Sequence, residues 1–145
     1  APPQDTITHV PTWQKTTDMG WAIVPQGFVR YLRWLAKETG GLPLYVTENG
    51  CAMKDEVVTD DHGRLRVHDH GRIEYLRAHF IAMKQAMDEG SPLKGYFLWS
   101  LLDNFEWAHG YSKRFGIIYC DYATLQRIPK DSYYYYRDVI AGYGE

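Results

Sequence analysis

Cysteine is scarce: two residues, Cys51 and Cys120, in a chain of 145. Two thiols build neither the disulfide framework of a small secreted domain nor a structural zinc site, which takes about four closely spaced ligands. Free thiols in a reducing compartment are expected, and with them a cytoplasmic protein. An excess of one charge is also missing. Sixteen basic residues against eighteen acidic ones leave a net charge of −2 and a pI near 6.3. The basic residues are scattered singly or in pairs, so there is no electrostatic basis for binding nucleic acid or an anionic membrane. No apolar run approaches the ~20 residues of a membrane span. The opening Ala1-Pro2-Pro3-Gln4-Asp5-Thr6 lacks a charged region followed by an apolar one, so no signal peptide is expected. Low-complexity tracts and short internal repeats are absent too.

Aromatic residues, by contrast, are plentiful: 5 Trp, 12 Tyr and 5 Phe. Two segments combine them with carboxylates. Residues 42–50, Leu-Pro-Leu-Tyr-Val-Thr-Glu-Asn-Gly, read as a short buried strand that ends in Glu48. Residues 95–107, Gly-Tyr-Phe-Leu-Trp-Ser-Leu-Leu-Asp-Asn-Phe-Glu-Trp, repeat the arrangement with Trp99, Glu106 and Trp107. A strand end holds the backbone still while the loop beyond it lets a side chain face a pocket. An indole covers the apolar face of a sugar ring and a carboxylate accepts its hydroxyl hydrogens. Two such strand ends separated by a helix point to a sugar site at the C-terminal rim of a β/α barrel. Taken singly, a Glu at a strand end is more often a solvated surface residue, and a lone Trp more often core.

Periodicity supplies the rest of the outline. Residues 1–20, with prolines at 2, 3 and 11, read as loop. Pro25 opens a helix whose stripe is Phe28, Tyr31, Leu32 and Leu35, stopped by Gly40-Gly41. A strand over 44–47 follows, then a polar loop over 51–70 with a turn signal at Asp61-His62-Gly63. A second helix is predicted over 71–89, striped by Ile73, Leu76, Phe80, Met83 and Met87, and a second strand over 95–100. A long loop spans 102–131, with an apolar stretch at Phe115–Tyr119. The last helix, 132–141, takes Asp131 or Ser132 as its cap and Tyr133, Tyr136 and Ile140 as its stripe. His62, His68 and His70 lie in a polar loop without a Cys or a helical i, i+4 pair, so no metal is expected, nor any cofactor.

Helix, strand, helix, strand, helix is α/β repetition with a parallel sheet. Two strands and three helices are about a quarter of an eight-stranded barrel, which takes roughly 250 residues. A two-stranded parallel sheet leaves both edges open and cannot bury its faces. The expected fold class is therefore the C-terminal portion of a (β/α)8 TIM barrel, incomplete without an N-terminal part. Residues 1–145 form the C-terminal segment of that one catalytic domain.

Three motifs carry a family resemblance: Tyr45-Val46-Thr47-Glu48-Asn49-Gly50, Trp99-Ser100-Leu101-Leu102-Asp103-Asn104-Phe105-Glu106-Trp107, and Gly110-Tyr111-Ser112-Lys113-Arg114-Phe115-Gly116. With Thr17-Asp18-Met19-Gly20-Trp21 ahead of them, the chain resembles the C-terminal third of the retaining β-glucosidases of glycoside hydrolase family 1. The resemblance implies that Glu48 is the nucleophile and Trp99 the platform beneath the non-reducing sugar. It implies that Glu106 accepts bonds from the 4- and 6-hydroxyls and that the Trp107 indole donates to the 3-hydroxyl. Phe115 would be a wall of the same subsite and Trp21 a ring on the aglycone side. Family members that act on 6-phosphoglycosides have small and cationic residues where Glu106-Trp107 stands. An anion there repels a 6-phosphate, so the implied substrate is an unphosphorylated β-glucoside or cello-oligosaccharide. The family's acid/base Glu belongs to an Asn-Glu-Pro motif, which this sequence does not contain. The N-terminal part of the same barrel is thus an expected partner. The rival expectations are a non-catalytic sugar-binding or structural fragment, and a β-galactosidase or β-fucosidase of the same family.

Overall fold

The computed structural model describes residues 13–142. The expected loop over 1–20 therefore lies outside the described residues for positions 1–12; positions 13–20 are turns, with Thr16 bridged to Ala22. Helix α1 (Pro25–Glu38) starts on its proline and ends before Gly40 and Gly41, which hold φ of 66° and 85°, the left-handed region open to glycine. Strand β1 (Leu44–Asn49) follows, then β2 (Val57–Thr59) and β3 (Leu65–Val67). Helix α2 (His70–Asp88) leads into β4 (Leu93–Leu98). A single 3-10 turn at Trp107–His109 precedes β5 (Ile118–Cys120), β6 (Arg127–Pro129) and α3 (Asp131–Ile140).

Strands β1 and β4 pair in parallel, Val46 opposite Tyr96 and Asn49 opposite Leu98, with α2 as the crossover between them. Val46 and Leu93 pack on Val29 and Leu32 of α1 and on Ala82, Met83 and Ala86 of α2, with Phe28 and Phe80 at the margin. Each buried CH2 of this layer is worth about 0.8 kcal/mol. Among the described residues, no helix is long and apolar enough to cross a membrane.

Three details differ from the periodicity. The polar loop 51–70 contains the antiparallel β2–β3 hairpin, closed by the Asp60 carboxylate on the backbone N–H groups of His62 and Arg64, 2.9 Å each. The 102–131 loop contains the β5–β6 hairpin. Strands of three residues are too short to display a period. The buried stripes are also rotated. On α1 Val29 and Leu32 are buried while Tyr31 is exposed, because Tyr31 stands about 100° around the helix from Leu32 and off the face that α2 covers. On α2 the buried line runs Arg72, Leu76, His79, Met83, Ala86, and Met87 is exposed. Polar Arg72 and His79 hide that line from a hydrophobic count. On α3, Ile140 is exposed, and neither Asp131 nor Ser132 is the cap. Lys130 holds the cap position, and Asp69, from the corner before α2, accepts the Ser132 N–H at 2.8 Å.

Candidate active site

The C-terminal ends of β1 and β4 lie side by side and interlock. The Trp99 N–H donates to the Asn49 carbonyl at 3.0 Å, carrying the pairing one residue beyond the end of β4. The chain then crosses so closely that a Cβ on Gly50 would stand 1.7 Å from the Trp99 carbonyl oxygen. Only glycine fits there. The Asn49 side chain is held from two sides. Its Nδ2 donates to the Tyr75 hydroxyl at 3.1 Å, and the Tyr96 hydroxyl lies 3.0 Å from the Asn49 carbonyl and 3.1 Å from its Oδ1. Burial pushes the Tyr75 phenol up to about 12 and raises Tyr96 as well, so both stay protonated near neutrality. Glu48, next to this clamp, is exposed and points to open space at the strand end.

The second carboxylate comes from a tight turn. Glu106 N–H donates to the Gly110 carbonyl at 2.7 Å and His109 N–H to the Glu106 carbonyl at 2.8 Å. Trp107 sits in this turn with φ 41° and is 83 % exposed. Phe115 is 4 % exposed, strung beside the Trp99 corner by the Ser100 N–H on its carbonyl at 3.3 Å. Trp21 leans over Phe115 at 6.1 Å between ring centroids. Its turn is tied to the rest by Asp18, whose N–H donates to the Ala52 carbonyl at 2.9 Å and whose carboxylate takes Lys113 Nζ at 3.0 Å.

One cavity of about 530 Å³ gathers the six residues singled out in the sequence: Trp21, Glu48, Trp99, Glu106, Trp107 and Phe115. Asn49, Gly50 and Tyr75 complete its lining. Asn49 and Gly50 lie inside the Glu48 motif and could have been read from it. Tyr75 is 26 residues further on in a helix and carries no local signal. Two other clefts, of about 390 and 380 Å³, are walled by Phe97, Leu101 and Ile140 and by Phe80, Met87 and Val139. Neither has a carboxylate in its lining, and a further cleft of about 390 Å³ sets a single carboxylate, Glu89, and Trp34 beside Arg33 and Lys37; of these four, the first alone brings two carboxylates together with three indoles.

Behind the cavity lies a buried ionic cluster that no sequence pattern announced. Lys130 Nζ donates to Asp55 at 2.6 Å, to Asp103 at 2.9 Å and to the Gly116 carbonyl at 2.6 Å. Arg72 forks onto Asp55 at 3.0 and 2.9 Å, reaches Asp69, and donates to the Arg114 carbonyl at 2.9 Å. Arg114 in turn meets Asp103 at 2.6 Å. Three cations face three carboxylates, so the cluster is neutral. Burial pulls the Lys130 ammonium below its usual range, with Arg72 adding to the effect and Asp55 and Asp103 opposing it. Cys51, against this cluster, is pushed up to about 12 by burial and stays a thiol. The cluster pins the loops after β1 and β4 to each other and to the starts of α2 and α3. Hydrogen bonds of this kind limit how far the loops can carry their side chains out of place.

Comparison with known proteins follows the same outline. The family model described as glycosyl hydrolase family 1 matches residues 2–145. Beta-glucosidase A of Thermotoga maritima is 55 % identical over 128 residues, 88 % of this chain and 28 % of that protein. A bifunctional beta-D-glucosidase/beta-D-fucosidase of Bifidobacterium breve is 48 % identical over 97 % of this chain and 31 % of its own length. The solved family 1 β-glucosidase from Thermotoga maritima superposes with a TM-score of 0.85 at 51 % identity, covering 94 % of this chain and 30 % of that one. The chain thus spans under a third of the length of these relatives.

Proposed function

The chain belongs to glycosyl hydrolase family 1, and from that premise we propose that it forms the C-terminal segment of the catalytic domain of a retaining β-glucosidase. Its parallel β1–β4 pair and three helices are part of a (β/α)8 barrel. The observation that carries the reading is the convergence of Glu48, Glu106, Trp99 and Trp107 on one open cavity.

In the proposed reaction the ionised Glu48 attacks the anomeric carbon. A carboxylate oxygen–carbon bond forms as the bond to the leaving oxygen breaks, and that oxygen takes a proton from a second carboxylic acid. Water then cleaves the glycosyl ester, its proton returning to the second group, and the anomeric configuration is retained. The second group must stand about 5–5.5 Å from Glu48. We assign it to the N-terminal part of the barrel, on the Asn-Glu-Pro motif that this chain lacks. Trp99 then underlies the sugar, Glu106 accepts from its 4- and 6-hydroxyls and Trp107 donates to the 3-hydroxyl. Phe115 closes the inner wall and Trp21 faces the aglycone. Trp107 and Trp21 are exposed, leaving their rings free for contacts that the rest of the barrel would complete. The substrate is a β-glucoside or cello-oligosaccharide, met in a reducing compartment, which the two free thiols fit.

The test is mechanism-based labelling of the assembled enzyme. A 2-fluoro glucoside should add one sugar mass to the peptide carrying Glu48, and Glu48→Ala should lose both label and turnover, with azide restoring turnover to give the inverted product. An unlabelled chain in the assembled protein would leave a non-catalytic sugar-binding fragment as the better reading. A second substrate is favoured by one finding, the glucosidase/fucosidase name of the Bifidobacterium breve relative. Competing β-glucoside, β-fucoside and β-galactoside in one assay would rank them by kcat/KM.

A further inference from the structure

His68 and His70 flank Asp69 at the corner between β3 and α2, and Asp131 opens α3. The sequence offers only the His-x-His pair, which alone is a poor metal site. The fold adds a third donor from 63 residues away: Asp131 Oδ2 lies 2.6 Å from His68 Nδ1. The two imidazoles lie parallel, 6.1 Å apart with 8° between their planes. One donor atom from each of the three side chains falls within a 4.8 Å span. From this geometry we infer that His68, His70 and Asp131 form a binding site for a late first-row transition ion such as Zn2+ or Cu2+, which staples the start of α2 to the start of α3.

The backbone under the site is already fixed. Asp69, between the two histidines, is buried, accepts the Ser132 N–H at 2.8 Å and the Ser132 hydroxyl, and is gripped by Arg72. That clamp holds the segment of the two histidines against the segment of the carboxylate, so binding need order only side-chain ends. Tetrahedral coordination at 2.0–2.1 Å spaces donors about 3.4 Å apart. The His68–Asp131 contact must therefore open by under an ångström and the widest pair must close by somewhat more. His68, with 49 % of its side chain exposed, has the room. Arg66 donates to the other carboxylate oxygen, Oδ1, at 3.3 Å, leaving Oδ2 for the ion and orienting the group as outer partners of metal ligands do. One carboxylate and two imidazoles suit an ion that bonds nitrogen. They do not suit Ca2+ or Mg2+, which require several oxygens.

Cu2+ titrated into the chain assembled with the N-terminal part of the barrel, and followed by electron paramagnetic resonance, should show one equivalent bound with nitrogen coupling from two imidazoles, a signal lost in the cluster variants of this chain. Zn2+ in large excess should compete with it, as the order of affinities for such a site requires, and Zn2+ alone should raise the melting temperature of the assembled protein. His68→Ala and Asp131→Asn should each weaken binding at least about tenfold and abolish the rise in Tm, while His62→Ala, outside the cluster, changes neither. Wild-type affinity in both cluster variants, or an equal Tm response to Zn2+ in His68→Ala, would overturn the assignment. His68→Ala removes only an exposed ring, so it keeps the test independent of any effect of Asp131 on α3.

Discussion

A methyl group added at Gly50 would meet the Trp99 carbonyl oxygen at 1.7 Å, so Gly50→Ala forces the two strand ends apart. Both ends carry site residues, Glu48 on one and Trp99 on the other. The expected outcome is a stability loss of about 2–4 kcal/mol, in the range of overpacked or strained substitutions, with turnover of the assembled enzyme reduced by more than stability alone explains. Thermal melts and kcat/KM measured below the shifted Tm separate the two effects, and a wild-type kcat/KM would show that the crossing does not set the site's geometry. The glycine and both carboxylates were legible in the sequence because the proposed chemistry sits in contiguous motifs. Tyr75 was not. It reaches Asn49 through one hydrogen bond made across the β1–α2 packing, and helical spacing assigns it only to a half-buried position.

Elements are joined here by charge as much as by apolar contact. Lys130→Met removes the cation shared by Asp55 and Asp103 and leaves two buried carboxylates facing Arg72 and Arg114 alone. Breaking a buried pair from one side costs about 3–5 kcal/mol, whereas Lys84→Met, at an exposed pair with Asp88, should cost no more than about 0.5 kcal/mol. Denaturant midpoints of the two variants, each assembled with the N-terminal part of the barrel, check the contrast, and equal shifts would mean that the cluster does not hold the loops. A pH effect belongs to α2. His79 lies between Phe28 and Tyr75, ring centroids at 5.6 and 4.0 Å, and donates from Nδ1 to the Tyr75 carbonyl at 2.8 Å. Burial lowers its pKa below the ordinary 6.5, against the opposing hydrogen bond. On acidification the unfolded chain is protonated there first, so this contribution is complete above pH 6.5 and is lost as pH falls below it. In the assembled protein His79→Gln should flatten the acid limb of the Tm profile, and an unchanged limb would place the sensitivity elsewhere. The three helices and two parallel strands were legible within a few residues because each repeats its pattern over several turns or side chains. The two hairpins and the trans cap from Asp69 were not, since three-residue strands show no period and a cap 63 residues away has no local signature.

At the scale of the whole molecule, among the described residues the β1–β4 sheet has an unpaired edge on each side. Large side chains stand in solvent around it: Tyr31 and Trp34 stacked on α1, Tyr45 on β1, and Phe97, at 60 % exposed, and Leu101 near β4. A sheet of this kind is stable only when neighbours cover its edges and faces. The relatives it matches are more than three times its length by the shares covered, which is the amount of chain such neighbours need. The proposed acid/base group is assigned to that N-terminal part of the barrel, so packing and chemistry should be restored together. Alone, the chain should bind a hydrophobic dye, aggregate on warming and leave a chromogenic β-glucoside intact. Mixed with the N-terminal part of the barrel, it should lose dye binding, gain a cooperative melt and turn over the glucoside in proportion to the complex formed. Native mass spectrometry of the mixture measures that complex directly. Turnover by the isolated chain would show that its own residues include an acid, which would place the general acid/base on this polypeptide. A complex that melts cooperatively yet stays inactive would keep the packing argument and defeat the assignment of the second carboxylate.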